Sequence, residues 1–289
     1  MRNVLRPRRL VVVFVQYDTQ KYPDAFKRMR LYLRKYKVDM LTYVVVDNKS
    51  NSPGWYRGDG RTFFLPGDNT DREFSAWRKG VEFVKAQGVV FDVILFANDA
   101  FEAGSRSYLR NHDARWLTVK SHMLNAVVGT ISTNYKDTRL LGMSARQWIK
   151  TNCFFVPKSV MDQIGDLVSI DESALGDYLP EAYPESGELF KSHAPINDVY
   201  KDYLVDWLTN RWHSKMKIHD GTWVAFRGKV KSIFNEALFS ARVREKGHMI
   251  LPYSVPGFFV GRIRAFLGRK KNQVRDSLAR VFENGSTAN

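Results

Sequence analysis

The chain has 289 residues, 44% of them hydrophobic and 13% aromatic, enough to bury a full core and too apolar for a disordered chain. Its 45 Lys and Arg against 30 Asp and Glu leave a formal charge of +15, so partners are expected among polyanions: nucleic acid, an acidic membrane or phosphate-bearing molecules. No run of about 18 apolar residues offers a membrane span, no signal-type leader opens the chain, and the single cysteine, Cys153, excludes an internal disulfide or a thiolate zinc cluster. The expected compartment is a reducing cytoplasm.

Residues 10–15 form an unbroken apolar, β-branched run ending at Gln16-Tyr17-Asp18, the pattern of a strand buried on both faces of a parallel sheet. Residues 22–36 set Phe26, Met29, Leu31 and Leu33 among Lys and Arg after a Tyr-Pro-Asp start signal, a helix. A second buried strand, 40–46, stops at Asp47-Asn48, so the first unit is βαβ. Residues 51–59 read as loop, 61–65 as a short strand, 74–87 as a helix and 91–97 as another buried strand running into Asn98-Asp99-Ala100. Three strands thus end in polar residues at their C-terminal edges, where open α/β sheets bind ligands.

Further along, 126–132 and 153–156 read as strands, and 158–164 and 199–209 as helices. Residues 166–195, rich in Asp, Glu, Ser, Gly and Pro, are expected as a long loop of the kind that serves as a lid or binding segment. The expected organisation is one α/β domain over 1–255, with halves 1–125 and 126–255, followed by a tail over 256–289. In that tail Phe258, Phe259, Ile263, Phe266 and Leu267 alternate with Arg262, Arg264, Arg269, Lys270 and Lys271. Helical spacing gives it one apolar and one basic face, suited to an anionic membrane surface.

An ordered series carries the chemistry: Val44-Val45-Val46-Asp47-Asn48, then Gly67-Asp68-Asn69 with Trp77 and Gly80, then Ile94-Leu95-Phe96-Ala97-Asn98-Asp99. It resembles the donor-binding half of GT-A glycosyltransferases, family 2 in particular, and Phe96-Ala97-Asn98-Asp99-Ala100-Phe101 resembles the corresponding motif of rhamnan-synthesis-type polysaccharide enzymes. The resemblance implies a nucleotide-sugar-binding, Rossmann-like GT-A fold with a mixed, mostly parallel sheet flanked by helices. It implies a donor site of Gln16, Tyr17, Asp47, Asn48, Asn69, Trp77, Asn98 and Asp99, with Asp47 on the nucleoside and the Gly-Asn segment packing a helix beneath the base. Asp99 would hold a divalent cation, Mn²⁺ or Mg²⁺, on the diphosphate. The family's usual pair of acids is here reduced to Asn98-Asp99-Ala100, leaving one carboxylate at that position. Asn197-Asp198, leading a helix, matches the family's general base, with Asp198 in that role and Asp202 and Glu188 as alternatives.

The implied activity is transfer of a sugar from a nucleotide-diphosphate donor to a glycan or lipid-linked glycan in surface polysaccharide synthesis, such as O-antigen or capsule. The implied location is cytoplasmic, peripheral on the inner face of the membrane. Elementary chemistry agrees, since a nucleotide diphosphate needs an acceptor for its base or ribose, donors for its phosphates and hard oxygen ligands for its metal. A nucleotidyltransferase would share this chemistry but should carry a glycine-rich basic loop after the first strand, and residues 16–20 contain no glycine. A nucleic-acid-binding module would suit the charge, yet aromatic and basic residues do not interleave on any strand, and no nucleic-acid partner is expected. His193, His213 and His219 lack metal-ligand spacing. No nucleophile elbow, Walker loop or dinucleotide fingerprint is present.

Overall fold

The computed structural model describes residues 9–34, 38–50, 52–101, 114–212 and 214–253, with Ala114 and Arg115 as backbone alone. The chain divides into two units, Met1–Tyr253 and Ser254–Asn289, and the described residues all belong to the first. The amphipathic tail expected over 256–289 lies outside them, as does His213.

The strands are β1 Arg9–Gln16, β2 Met40–Asp47, β3 Tyr56–Arg57, β4 Thr62–Pro66, β5 Val93–Asn98, β6 Val127–Thr133, β7 Arg139–Leu140, β8 Met143–Ser144, β9 Gln147–Pro157 and β10 Ile250–Pro252. The helices are α1 Ala25–Leu33, α2 Glu73–Ala86, α3 Ala114–Leu124, α4 Lys158–Ile164, α5 Glu172–Leu175, α6 Asp198–Asp206 and α7 Trp223–Glu245. Eight strands form one sheet in the order β10-β6-β9-β5-β1-β2-β4-β3, and β7 and β8 pair as a small separate hairpin. Only β9 and β3 run against the rest, so the fold is the mixed, mostly parallel α/β class expected.

β1 is the hinge of the topology. The chain steps from β1 outward through β2 to β4, then returns to place β5 on the other side of β1. Right-handed crossovers leaving β1 in opposite directions put their helices on opposite faces. Alternation along β1 matches this. Val11, Val13 and Val15 pack with Trp77, Val81 and Val84 of α2, while Leu10, Val12 and Phe14 pack with Ala25, Met29 and Leu33 of α1 and Leu117 of α3. All six β1 residues are buried, which is why the run reads as continuous rather than alternating. Gly80 is required where α2 crosses β1, because a Cβ there would stand 2.5 Å from Val13 Cγ1.

A third core joins α6, α7 and the segment 167–196. Residues 166–195 are mostly irregular, as expected, but not a free lid: Leu167, Ile170, Leu175, Tyr178, Leu179, Phe190 and Ala194 are buried. Asn235 of α7 pins this segment, its Oδ1 accepting the amides of Ser169 and Ile170 at 2.7 and 2.9 Å and its Nδ2 donating to the Ile170 carbonyl at 2.8 Å. The loop's apolar residues are too widely spaced for any periodic pattern, yet all but Leu167, which packs into the first core, fill the third. Among the described residues no helix is long and apolar enough to cross a membrane.

Candidate functional site at the sheet switch point

Open α/β sheets bind ligands outside the C-terminal edges of strands whose connections diverge, which here are β1 and β5, with β2 alongside. Gln16 is in register with Asp47 on one side of β1, and Val15 with Asn98 on the other. Strand alternation therefore turns Gln16 and Asp47 to the α1 face and Asn98 to the α2 face. Asp99 extends the parallel ladder by one step, its amide donating to the Val15 carbonyl at 3.0 Å. Asp99 is 4% exposed, and one of its carboxylate oxygens, Oδ2, accepts the backbone amides of both Tyr17 and Asp18 at 2.7 Å. Burial raises the Asp99 pKa above the usual carboxylate range, and the charge of Asp18 adds to that, against the two amides. Asp18 is held low, chiefly by the Lys21 amide, with the charges of Lys49 and Lys21 helping.

The β2 end is equally stitched. Asp47 Oδ1 accepts the Lys49 amide at 2.9 Å, and its carbonyl accepts the Gly67 amide at 2.7 Å. Asn48 donates its backbone amide to the Gln16 carbonyl at 3.0 Å and its Nδ2 to Asn69 Oδ1 at 3.3 Å and the Arg72 carbonyl at 3.4 Å. Gly67 is obligatory, since a Cβ would stand 1.9 Å from Asn48 Oδ1. Asn69 and Arg72 both hold positive φ, 55° and 56°, where the Cβ crowds the backbone; asparagine adopts this region more readily than arginine does. Gln16, Tyr17, Asp47, Asn48, Asn69, Asn98 and Asp99 thus gather around one strand edge.

Trp77 is a correction. Expected among the donor-binding residues, it is fully buried between Phe74, Phe96 and Phe154, its indole N–H reaching the Ala97 carbonyl at 3.4 Å. It has no surface to offer a ligand. Its role is to seat α2 against the sheet.

Asp198 stands at the first residue of α6, its side chain 90% exposed and paired with Lys201 Nζ at 2.9 Å. No hydrogen bond or ion pair among the described residues joins it to the strand-end group, and its helix packs with β7 and the third core. Asp202 and Glu188 are likewise exposed. Among the described residues no three His, Cys, Asp or Glu side chains are gathered as metal ligands.

The sequence gives no sign of a second acidic feature joined to these strand ends through Tyr17. Tyr17 donates its hydroxyl to Glu73 Oε2 at 3.2 Å, and Ser232 donates to Glu73 Oε1 at 3.3 Å. Glu73 Oε1 also lies 3.0 Å from Thr151 Oγ1, which makes a short hydrogen bond to Glu236 Oε1, and the Thr151 amide donates to that same oxygen at 3.1 Å. A threonine hydroxyl has one proton to give. Facing two carboxyl groups, it can donate to only one at a time, and a proton on the other carboxyl would satisfy both contacts. Burial raises the Glu236 pKa, Glu73 adds to the rise, and Lys229 opposes it. Of the two, Glu236 is the one whose surroundings favour the protonated form. Burial, then the charge of Glu73, also pushes the Tyr17 hydroxyl far above its ordinary value, against the charge of Arg72. Glu73 opening α2 looks like an ordinary helix-start acid, and Glu236 sits in a helix with no clear periodic stripe. Neither could be singled out in advance.

No protein-family model matches the chain, and no curated protein matches it. Among solved structures, it is similar to a mannosyltransferase, PcManGT from Pyrobaculum calidifontis, determined with GDP-mannose and Mn²⁺. The two are 14% identical, the alignment covers 91% of this chain and 80% of that one, and the TM-score is 0.27. A likeness at that level says nothing about the activity of this chain.

Proposed function

We propose that the chain transfers a sugar from a nucleotide-diphosphate donor to a glycan or lipid-linked glycan acceptor, in the assembly of a surface polysaccharide such as O-antigen or capsule. The reading is carried by the meeting of Asp47, the 16–18 loop and Asp99 at a topological switch point, where open α/β sheets receive nucleotides. Asp47 accepts a hydrogen bond from base or ribose. Lys49 and Lys21, which act on Asp18, and Arg72, which acts on Tyr17, are cations at this edge and stabilise the charge of the diphosphate as it leaves. Asp99, already holding the β1 loop by two amides, keeps that loop in place beneath the donor.

A divalent cation fits this edge only as part of a nucleotide complex. Asp99 supplies a single carboxylate with Asp18 as its neighbour, so the diphosphate and water must complete the shell, as Mg²⁺ and Mn²⁺ sites commonly arrange. When bound, the ion would neutralise charge on the leaving group. Asp198 is assigned the general base of an inverting transfer, because its carboxylate is open to an incoming hydroxyl. The cytoplasmic, membrane-peripheral location and the anchoring role of the 256–289 tail belong to the same proposal.

The test is a thermal-shift screen of UDP, GDP, CMP and dTDP sugars with and without Mn²⁺. One nucleotide is expected to raise the melting temperature, by the equivalent of about 2.7 kcal/mol at a hundredfold excess over Kd, and Asp47→Ala should abolish the rise. Absence of a shift with every donor overturns the proposal.

A further inference from the structure

The face of the sheet opposite α2 carries α1 and α3, and their outer sides share a character that sugar transfer does not use. On α1 and its C-cap, Lys27, Arg30, Leu31 and Arg34 are exposed, at positions i, i+3, i+4 and i+7 of a single helical face. Leu31 is 54% exposed at its centre. The sequence of α1 contains no acid. Arg30 pairs with Asp59 at 3.0 Å across an exposed bridge, while Lys27 and Arg34 have no acidic partner among the described residues. Beside this face a cavity of about 610 Å³ has an apolar floor of Phe26, Leu41 and Tyr43, and the same four side chains form its rim. On α3, Trp116 and Met123 are 54% and 50% exposed, again one side of a helix, with Leu124 exposed beside Met123. Both helices pack onto the same buried cluster, so cations and exposed large apolar groups share one layer.

We propose that this helical layer docks on an anionic phospholipid bilayer, with Lys27 and Arg34 on the headgroups and Leu31, Trp116 and Met123 entering the interface. Charge complementarity selects this occupant. A cation-ringed leucine over an apolar floor suits an acyl chain beneath a phosphate, and an exposed tryptophan is at its most favourable at the headgroup level. The contact is independent of the sugar-transfer reading and distinct from any contribution of residues 256–289.

The test is sedimentation of the full chain with vesicles of phosphatidylcholine alone or mixed with phosphatidylglycerol, together with quenching of tryptophan fluorescence by brominated phosphatidylglycerol. Removing two cations in Lys27→Ala/Arg34→Ala should weaken binding to the anionic vesicles by about 30-fold. Leu31→Asp should weaken it further, and Trp116→Phe should remove part of the bromolipid quenching. All these positions are solvent-exposed, so unchanged thermal melts confirm that folding is intact. Equal binding to both vesicle types, wild-type affinity in the double variant, or unchanged quenching in Trp116→Phe overturns the proposal. So does a loss seen only when Arg269, Lys270 and Lys271 are neutralised, which would assign the membrane contact to the tail.

Discussion

Replacing Glu236 by glutamine should stabilise the protein increasingly as pH rises. The reason lies in the single Thr151 proton shared between Glu73 Oε1, at 3.0 Å, and Glu236 Oε1. Around Glu236 stand Glu73 from α2, Thr151 from β9, Tyr200 and Tyr203 from α6 and Lys229 from its own helix, and burial outweighs the lysine in raising its pKa. In the unfolded chain the group releases its proton near the ordinary value of 4.5, whereas the folded protein retains it to higher pH. Its contribution is thus fully present below that value and is lost as pH rises through the raised folded pKa. The slope can reach about 1.4 kcal/mol per pH unit, the limit for one proton. Glutamine mimics the protonated acid and does not titrate. Urea unfolding of wild type and Glu236→Gln across pH 4 to 8, at about half-unit steps, should give curves that start close and separate in favour of the variant. A variant that loses ground to wild type as pH rises would mean that Glu236 is ionised in the fold, and the proton count at Thr151 would be wrong.

The remaining predictions concern packing and reactivity. Gly80→Ala forces a methyl group to 2.5 Å from Val13 Cγ1 and should cost about 1–3 kcal/mol in urea unfolding. Lys231, buried between Asp71 at 3.0 Å and Glu172 at 2.9 Å, should cost about 1–3 kcal/mol when changed to methionine, because buried Asp71 keeps only the longer contact to Arg78, at 3.8 Å. Lys231→Met/Asp71→Leu should recover most of that loss. The Cys153 thiol is fully buried and its pKa is pushed up to about 12 by desolvation, against a hydrogen bond involving Tyr253. Thiol reagents at pH 8 should therefore label native protein no faster than it unfolds, and labelling of folded protein on mixing would contradict that burial.

Much of the N-terminal half was legible because its strands are buried on both faces. Val11 to Val15 and Val44 to Val46 have no solvent side on which a polar residue could interrupt the run, and such runs are hard to mistake. The helices α1 and α2 each present a single apolar stripe, so their spans were read to within a few residues. Helix α7 escaped for the opposite reason. It serves two cores at once, with Trp223, Phe226 and Phe234 in the third and Phe239 and Val243 in the first. It also buries Arg227, Lys231, Ser232, Asn235 and Ser240 against partners far away in sequence. Polar residues on several sides erase the stripe. The Glu73–Thr151–Glu236 group was invisible for a related reason, since its members come from three elements joined only by the fold. At the candidate site, the strand-end residues could be read from the sequence, but the two-amide grip of Asp99 and the burial of Trp77 depend on side-chain direction, which strand patterns do not specify.

The insertion of β9 between β5 and β6 bears on how the molecule can be divided. A fragment stopping at residue 125 would leave β5 without its antiparallel neighbour, exposing a naked apolar margin that invites chains to stack on one another. It would also lose Phe154, Phe239 and Val243, which complete the packing beneath that margin. The two halves of the sequence therefore have no separate existence as folded bodies, and complementation by co-expressed pieces should succeed only where the cut falls outside residues 93–157.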